Sequence, residues 1–236
     1  AQLKNGEVSF NGAKQKPGIL GLLLPGQQYF EFIYNNEEIW LETSGSTGSE
    51  FTKNLIVKKS EENKVFIPYV NYITKKKTEA AQLGDERNKL KPEDAKFKIL
   101  GEKIDGLNKE VEVYQNNIMS QHKDKLVAKI VKMSTEIVIP EAPVDAEGNI
   151  IDSSFRFHYY RQHYWDNVDL LDERLVNNPV FHNKLEYFFS KNMMMQHWDT
   201  VLYYAFDFCD RLNPKTKTFE YVVGWLTSTY GKSQIM

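Results

Sequence analysis

A chain of 236 residues, 41% of them hydrophobic and 26% charged, has ordinary globular composition and room for one large domain or two small ones. Its 30 basic and 32 acidic side chains leave a formal charge of -2, which gives neither a nucleic-acid backbone nor an anionic membrane a field to follow. Its apolar runs fall far short of the roughly 20 residues that a membrane-crossing helix needs, and the single cysteine, Cys209, excludes an intrachain disulfide, a Cys-x-x-Cys pair and a cysteine-rich zinc site.

The first 58 residues read as a small antiparallel β unit. Strand patterns run over Glu7 to Phe10, Ile19 to Leu24, Tyr29 to Tyr34, Ile39 to Glu42 and Phe51 to Val57, punctuated by Asn11-Gly12, Pro25-Gly26 and Asn35-Asn36. A strand so near the start looks like one that a leader and earlier strands once preceded. Within Tyr29 to Tyr34, Phe30, Phe32 and Tyr34 share one face by period-two geometry, and that face is expected to be core. Gly45-Ser-Thr-Gly48-Ser lacks the Gly-Lys-Ser/Thr ending of a phosphate loop and reads as a plain loop.

From 59 to 236 the pattern is helical. Ser60 ahead of Glu61 and Glu62 is a helix start, and the helix is expected to reach Leu83, kinked or shifted by Pro68. Pro92-Glu93-Asp94 opens a second helix. Its Phe97, Leu100, Ile104, Leu107, Val111, Tyr114 and Ile118 recur at spacings of 3 and 4 in one seam. Gly101 and Gly106 interrupt that seam, so packing on the preceding helix of the same chain is favoured over an intermolecular coiled coil. A homodimer through the 97–118 helix is the rival. A shorter helix near Lys123 to Met133 completes a 60–133 hairpin region, and the 134–151 segment with Pro140, Pro143 and Gly148 reads as an extended connector.

The 152–236 segment holds 19 of the 31 aromatic residues, enough to build a dense bundle. Helices are expected near Ser154 to Trp165, Val180 to Lys191, Met195 to Leu212 and Thr218 to Tyr230, with Leu202, Phe206 and Cys209 as core positions. Cys209 then behaves as a buried small hydrophobe.

Chemistry is sparse. The five histidines, His122, His158, His163, His182 and His197, form no local metal motif. Asp166, Asp169, Asp172 and Glu173 do not match the spacing of a calcium loop and read as caps around a short helical turn. No Gly-x-Ser-x-Gly elbow and no Gly-x-Gly-x-x-Gly after a strand is present, so a hydrolase is the least favoured reading and no catalytic, cofactor or metal residue is assigned. The helix bearing Tyr159, Tyr160, Arg161, His163, Tyr164 and Trp165 is the candidate interaction surface. Its rings either pack in the core or line a groove for a peptide or glycan.

The block from His163-Tyr-Trp-Asp-Asn-Val-Asp-Leu-Leu-Asp-Glu-Arg-Leu to Pro179-Val-Phe-His-Asn-Lys-Leu resembles a helical domain of unknown function in cell-envelope proteins of Gram-negative gut anaerobes. Gly6-Glu-Val-Ser-Phe-Asn-Gly, Tyr29-Phe-Glu-Phe and Ser60-Glu-Glu-Asn look like the β-rich domain that often precedes it. The resemblance implies a periplasmic or envelope location and an accessory role beside a C-terminal thioredoxin-like domain, with a protein or peptide client. The redox cysteine pair of that partner domain is absent here, so no catalytic residue carries over. The expectation is an α+β chain, a small antiparallel β-sheet or sandwich domain followed by a larger all-helical domain, acting as a non-catalytic interaction region.

Overall fold

The computed structural model describes residues 2–4, 7–10, 15–24 and 28–233; the expected Asn11-Gly12 and Pro25-Gly26 turns lie outside the described residues. The strands are β1 (Gln2–Lys4), β2 (Glu7–Ser9), β3 (Gly18–Leu24), β4 (Gln28–Tyr34), β5 (Trp40–Glu42) and β6 (Ile56–Lys59), with helix α1 (Gly48–Lys53) before β6. There follow α2 (Asn63–Arg87), α3 (Ala95–Gln121), α4 (Leu126–Met133), α5 (Phe155–His163), a 3-10 turn (Glu173–Val176), α6 (Pro179–Phe188), α7 (Trp198–Asp210) and α8 (Lys217–Tyr230). The chain is α+β, with strands first and helices after. Among the described residues the strands pair as three antiparallel two-stranded ladders, β1 with β2, β3 with β4 and β5 with β6.

One expected strand is partly a helix. Thr47 caps α1 by accepting from the Glu50 N–H at 3.3 Å, and the Glu50 carboxylate accepts from the Ser46 and Thr47 N–H groups. This reciprocal cap commits Gly48–Lys53 to a helical turn, so the strand begins at Ile56 rather than Phe51. The glycine-serine segment thus supplies a helix start where a plain loop was expected.

The core face of the β3–β4 ladder also differs from expectation. Phe30 is buried, but Phe32 and Tyr34 beside it are half-buried, while Ile33 on the opposite face is wholly buried. The cause is Asn63, fully buried in the first turn of α2. Its Oδ1 accepts from the Ile33 N–H at 2.7 Å and its Nδ2 donates to the Ile33 carbonyl at 2.7 Å. The carboxamide therefore does for β4 what a neighbouring strand would do, and both backbone groups are satisfied without water.

Beside it, the buried Glu62 carboxylate accepts from the Leu126 and Val127 N–H groups at 2.9 and 2.8 Å, and from Asn35 Nδ2 at 2.8 Å. It caps α4 from a distant part of the chain, placing negative charge at the positive helix end. Asn35 Oδ1 accepts in turn from Arg174 at 3.1 Å, and Arg174 grips Asp172 through Nε at 2.8 Å and a second nitrogen at 2.6 Å. Lys129 closes the network on Asp172 and Asp169 at 2.7 and 2.9 Å. A clasp of side chains thus joins the end of β4, the start of α2, α4 and the 3-10 turn.

The Arg174 guanidinium and, after it, the Lys129 ammonium hold the Asp172 carboxyl far below the usual carboxylate range. A depressed folded-state pKa contributes stability that is present above the unfolded value near about 3.9 and is lost as pH falls below it. Asp172→Asn is expected to lower unfolding free energy at neutral pH by about 1–3 kcal/mol, the range for hydrogen bonds to charged groups. It should also flatten the stability loss between about pH 4 and 2, read by urea titration at each pH.

The α2–α3 hairpin satisfies its own seam. Leu100, Leu107 and Ile118 are buried and Phe97, Ile104, Val111 and Tyr114 half-buried, with the Tyr114 ring 4.5 Å from that of Tyr72 and 6.3 Å from that of Tyr69. The seam that suggested a homodimer is engaged within the chain. Gly101 lies beside the Arg87 guanidinium, which a methyl side chain there would meet at ordinary van der Waals distance, 3.4 Å, and which packs 4.1 Å from the Phe97 ring centre. Pro68 sits inside α2, which starts at Asn63 after a turn in which the Ser60 Oγ accepts from the Asn63 N–H at 2.9 Å.

Helices α4 to α8 wrap an aromatic core. Trp165 stacks on Phe208 with ring centres 4.3 Å apart and meets Phe181 and Phe188. Leu126, Val131, Leu175, Leu185, Val201 and Val222 fill the remaining space. Phe30 and Ile33 of β4 belong to the same buried cluster.

Candidate interaction surface

The structure divides the six residues of the candidate surface. Tyr164 and Trp165, each 3% exposed, are core. The Tyr164 hydroxyl donates to the Lys184 carbonyl at 3.1 Å, and burial pushes its phenol up from the ordinary range. These two side chains therefore cannot line a groove, which corrects the expectation for Tyr164 and Trp165. The reason is phase, since the turn after His163 carries both rings inward against α6 and α7.

Tyr159, Tyr160, Arg161 and His163 are half-buried. His163 stacks on Tyr159 at 4.1 Å between ring centres and pairs with Asp166 at 2.6 Å. The Arg161 guanidinium lies between two rings, 5.1 Å from the Phe157 centre and 4.9 Å from the Tyr204 centre, with His158 Nδ1 at 3.1 Å. Among the described residues its contacts are ring faces and an imidazole, not a carboxylate. Such a guanidinium is oriented by stacking while its charge stays available to an incoming acid.

Tyr204 carries this surface onto α7, where the sequence expectation reverses. Leu202 and Phe206, expected in the core, face outward. With Met195 just ahead of the helix, Trp198 (53% exposed), Leu202 and Phe206 (63%) recur four residues apart and Tyr203 (65%) lies three before Phe206, forming an outward apolar stripe at the spacing that makes helical side chains neighbours. Val201 and Phe208 are the residues that α7 buries. Tyr203 meets Tyr204 edge to face at 5.1 Å, so the stripe joins the Phe157–Arg161–Tyr204 stack. A periodicity argument misses this face because α7 is apolar nearly all round, and a helix of that kind reads as buried on every side.

Other chemistry is quiet. Among the described residues, no group of three or more His, Cys, Asp or Glu side chains is placed to hold a metal. His182 and His197 pair with Tyr221 at 2.6 Å and Asp199 at 2.5 Å, so neither of these histidines is aligned on a serine or cysteine nucleophile. Cys209 is half-buried, and burial pushes its thiol up, away from the reactive thiolate. No helix is long and apolar enough to cross a membrane among the described residues. Comparison with protein-family models, curated proteins and solved structures yields no match to this chain.

Proposed function

We propose that the chain is a non-catalytic interaction module of the cell envelope, the accessory region that accompanies a thioredoxin-like domain in a longer polypeptide, and that its α5–α7 face receives a protein segment. The observation that carries the reading is the exposure of Trp198, Tyr203 and Phe206 beside a ring-stacked Arg161 that meets no carboxylate among the described residues. Tryptophan, tyrosine and arginine are the residues that dominate binding energy at protein interfaces. The periplasmic location and the thioredoxin-like partner rest on the sequence resemblance alone.

The chemistry specifies the client: an apolar segment to cover the α7 stripe and an acidic group to meet Arg161. A glycan site instead needs a concave pocket with converging polar groups, and an outward helix face is a poor substitute.

Peptides selected against the purified chain from a displayed library, with affinities measured by fluorescence anisotropy, provide the test. The triple variant Trp198→Ala, Tyr203→Ala, Phe206→Ala is expected to weaken binding at least tenfold, about 1.4 kcal/mol or more. Its melting temperature should stay nearly unchanged, because exposed positions contribute little to stability. Equal binding by the parent and the triple variant defeats the proposal. So does reduction of insulin disulfides by this chain that Cys209→Ala abolishes, since dithiol exchange requires a second sulfur.

A further inference from the structure

A second surface, on the β part, offers backbone rather than side chains. In the β3–β4 ladder, Ile19 faces Ile33, Gly21 faces Glu31 and Leu23 faces Tyr29. The Ile33 N–H and carbonyl both bond to Asn63, and the Ile19 N–H donates to the Asn177 carbonyl at 2.9 Å. Both backbones of this pair therefore point away from the ladder, and Ile19 with Ile33 is a non-hydrogen-bonded pair. Antiparallel pairs alternate along a ladder, so Gly21 and Leu23 also present their N–H and carbonyl groups outward on the free edge of β3. Among the described residues, no backbone group accepts from or donates to those outward groups.

The edge lacks the usual protection. Strand β3 reads Gly-Ile-Leu-Gly-Leu-Leu-Leu, without a charge or a proline, which are the common means of keeping an edge strand from pairing with another chain. Leu23 is 72% exposed, and a side chain built at Gly21 would meet nothing within 4 Å. At the other end the edge is already occupied. Asn177 sits against Ile19, and a Cβ at Gly18, where φ is +150°, would lie 2.5 Å from its carbonyl oxygen. The molecule thus closes the base of the hairpin with amide groups at both edges and leaves open the part of β3 beyond Ile19.

We propose that the Gly21–Leu23 edge of β3 accepts an extended apolar segment of a partner protein as an added antiparallel strand. Main-chain hydrogen bonds to Gly21 and Leu23 would hold it. The side chain opposite Gly21 fills the space that glycine leaves, against Leu23 on the same face, and its neighbours in the segment turn toward Leu22 on the other face. The acceptor strand is uncharged and its cross-strand neighbours over this stretch offer only Glu31, so an apolar segment is selected and an acidic one repelled. A second copy of this chain fits less well. Two β3 strands paired about Gly21 would bring Leu23 of one against Ile19 of the other, where Asn177 already stands.

The probe is a set of capped heptapeptides that alternate valine with threonine, tested on the whole chain by amide hydrogen exchange and anisotropy. Binding is expected to slow exchange at Gly21 and Leu23 at least tenfold. A peptide N-methylated at alternate residues on its bonding edge should not bind. Gly21→Pro removes an outward donor and leaves the ladder bonds to β4 in place; it is expected to lose binding at least tenfold with an unchanged far-ultraviolet spectrum. Leu23→Lys, which keeps the backbone and adds a gatekeeping charge, should weaken binding as well, and it serves if the proline variant fails to fold. Three results overturn the proposal: no peptide in the set protects the two amides, both variants bind like the parent, or the amides are protected without peptide in a dimer seen by sedimentation.

Discussion

Asn63→Ala is expected to lower the unfolding free energy by about 2–5 kcal/mol, because it strands two buried backbone groups of Ile33 at about 1–3 kcal/mol each. Asn63 is fully buried and reaches both groups at 2.7 Å, with a third bond from its Nδ2 to the Ser60 Oγ at 2.7 Å. Few single side chains replace a whole strand neighbour in this way. Equilibrium urea unfolding, with the slope compared between parent and variant, measures the change. Asn63→Asp sharpens the result. It keeps an acceptor for the Ile33 N–H but turns a negative oxygen toward the Ile33 carbonyl, so its loss should equal or exceed that of alanine. A loss below about 1 kcal/mol for both variants would mean that water replaces the carboxamide at the hairpin base.

The division between strands and helices was legible because it depends on local chemistry. The 3–4 spacing from Phe97 to Ile118 locates α3, and Pro92 with its neighbouring acids locates the turn before it. The Asp166–Arg174 segment was legible as caps: Asp172 accepts from the Arg174 N–H at 3.2 Å at the head of the 3-10 turn. The clasp was not legible. Glu62 and Asn63 looked like ordinary first-turn residues, and nothing local distinguishes a carboxylate that caps its own helix from one that caps α4, 64 residues on. Long-range polar pairing has no period and therefore no sequence signature.

The candidate surface was divided, with Tyr164 and Trp165 in the core, for a related reason. Tyr164 and Trp165 are adjacent to exposed positions and share their composition, so residue type alone could not separate ring from wall. On α7 the ambiguity ran the other way. Apolar residues surround the helix, and only the placement of α5, α6 and α8 decides that Val201 and Phe208 face inward while Tyr203 and Phe206 face water. The α1 cap was readable in principle, since Ser-Thr-Gly-Ser-Glu at 46–50 contains the threonine and the glutamate three residues apart that a reciprocal cap requires.

The tryptophans offer the clearest separation of core from surface. Trp165→Ala should remove about 3–5 kcal/mol of stability, the range for emptying a large aromatic site that cannot fully collapse. Its ring is stacked on Phe208 at 4.3 Å and edges Tyr164 at 5.2 Å, so the cavity would be walled by rigid rings. Trp165→Phe is the informative companion. The indole Nε1 is buried with no hydrogen-bond partner among the described residues, so phenylalanine discards a poorly placed donor while keeping most of the apolar contact, and the loss should stay below about 2 kcal/mol. Trp198→Ala, on the outward face of α7, should change stability by no more than about 0.5 kcal/mol. Chemical unfolding followed by tyrosine fluorescence and circular dichroism reads all three. If Trp165→Ala were tolerated and Trp198→Ala destabilising, the inward and outward sides of α7 would have been assigned in reverse, and the interaction face proposed on Tyr203 and Phe206 would fall with that assignment.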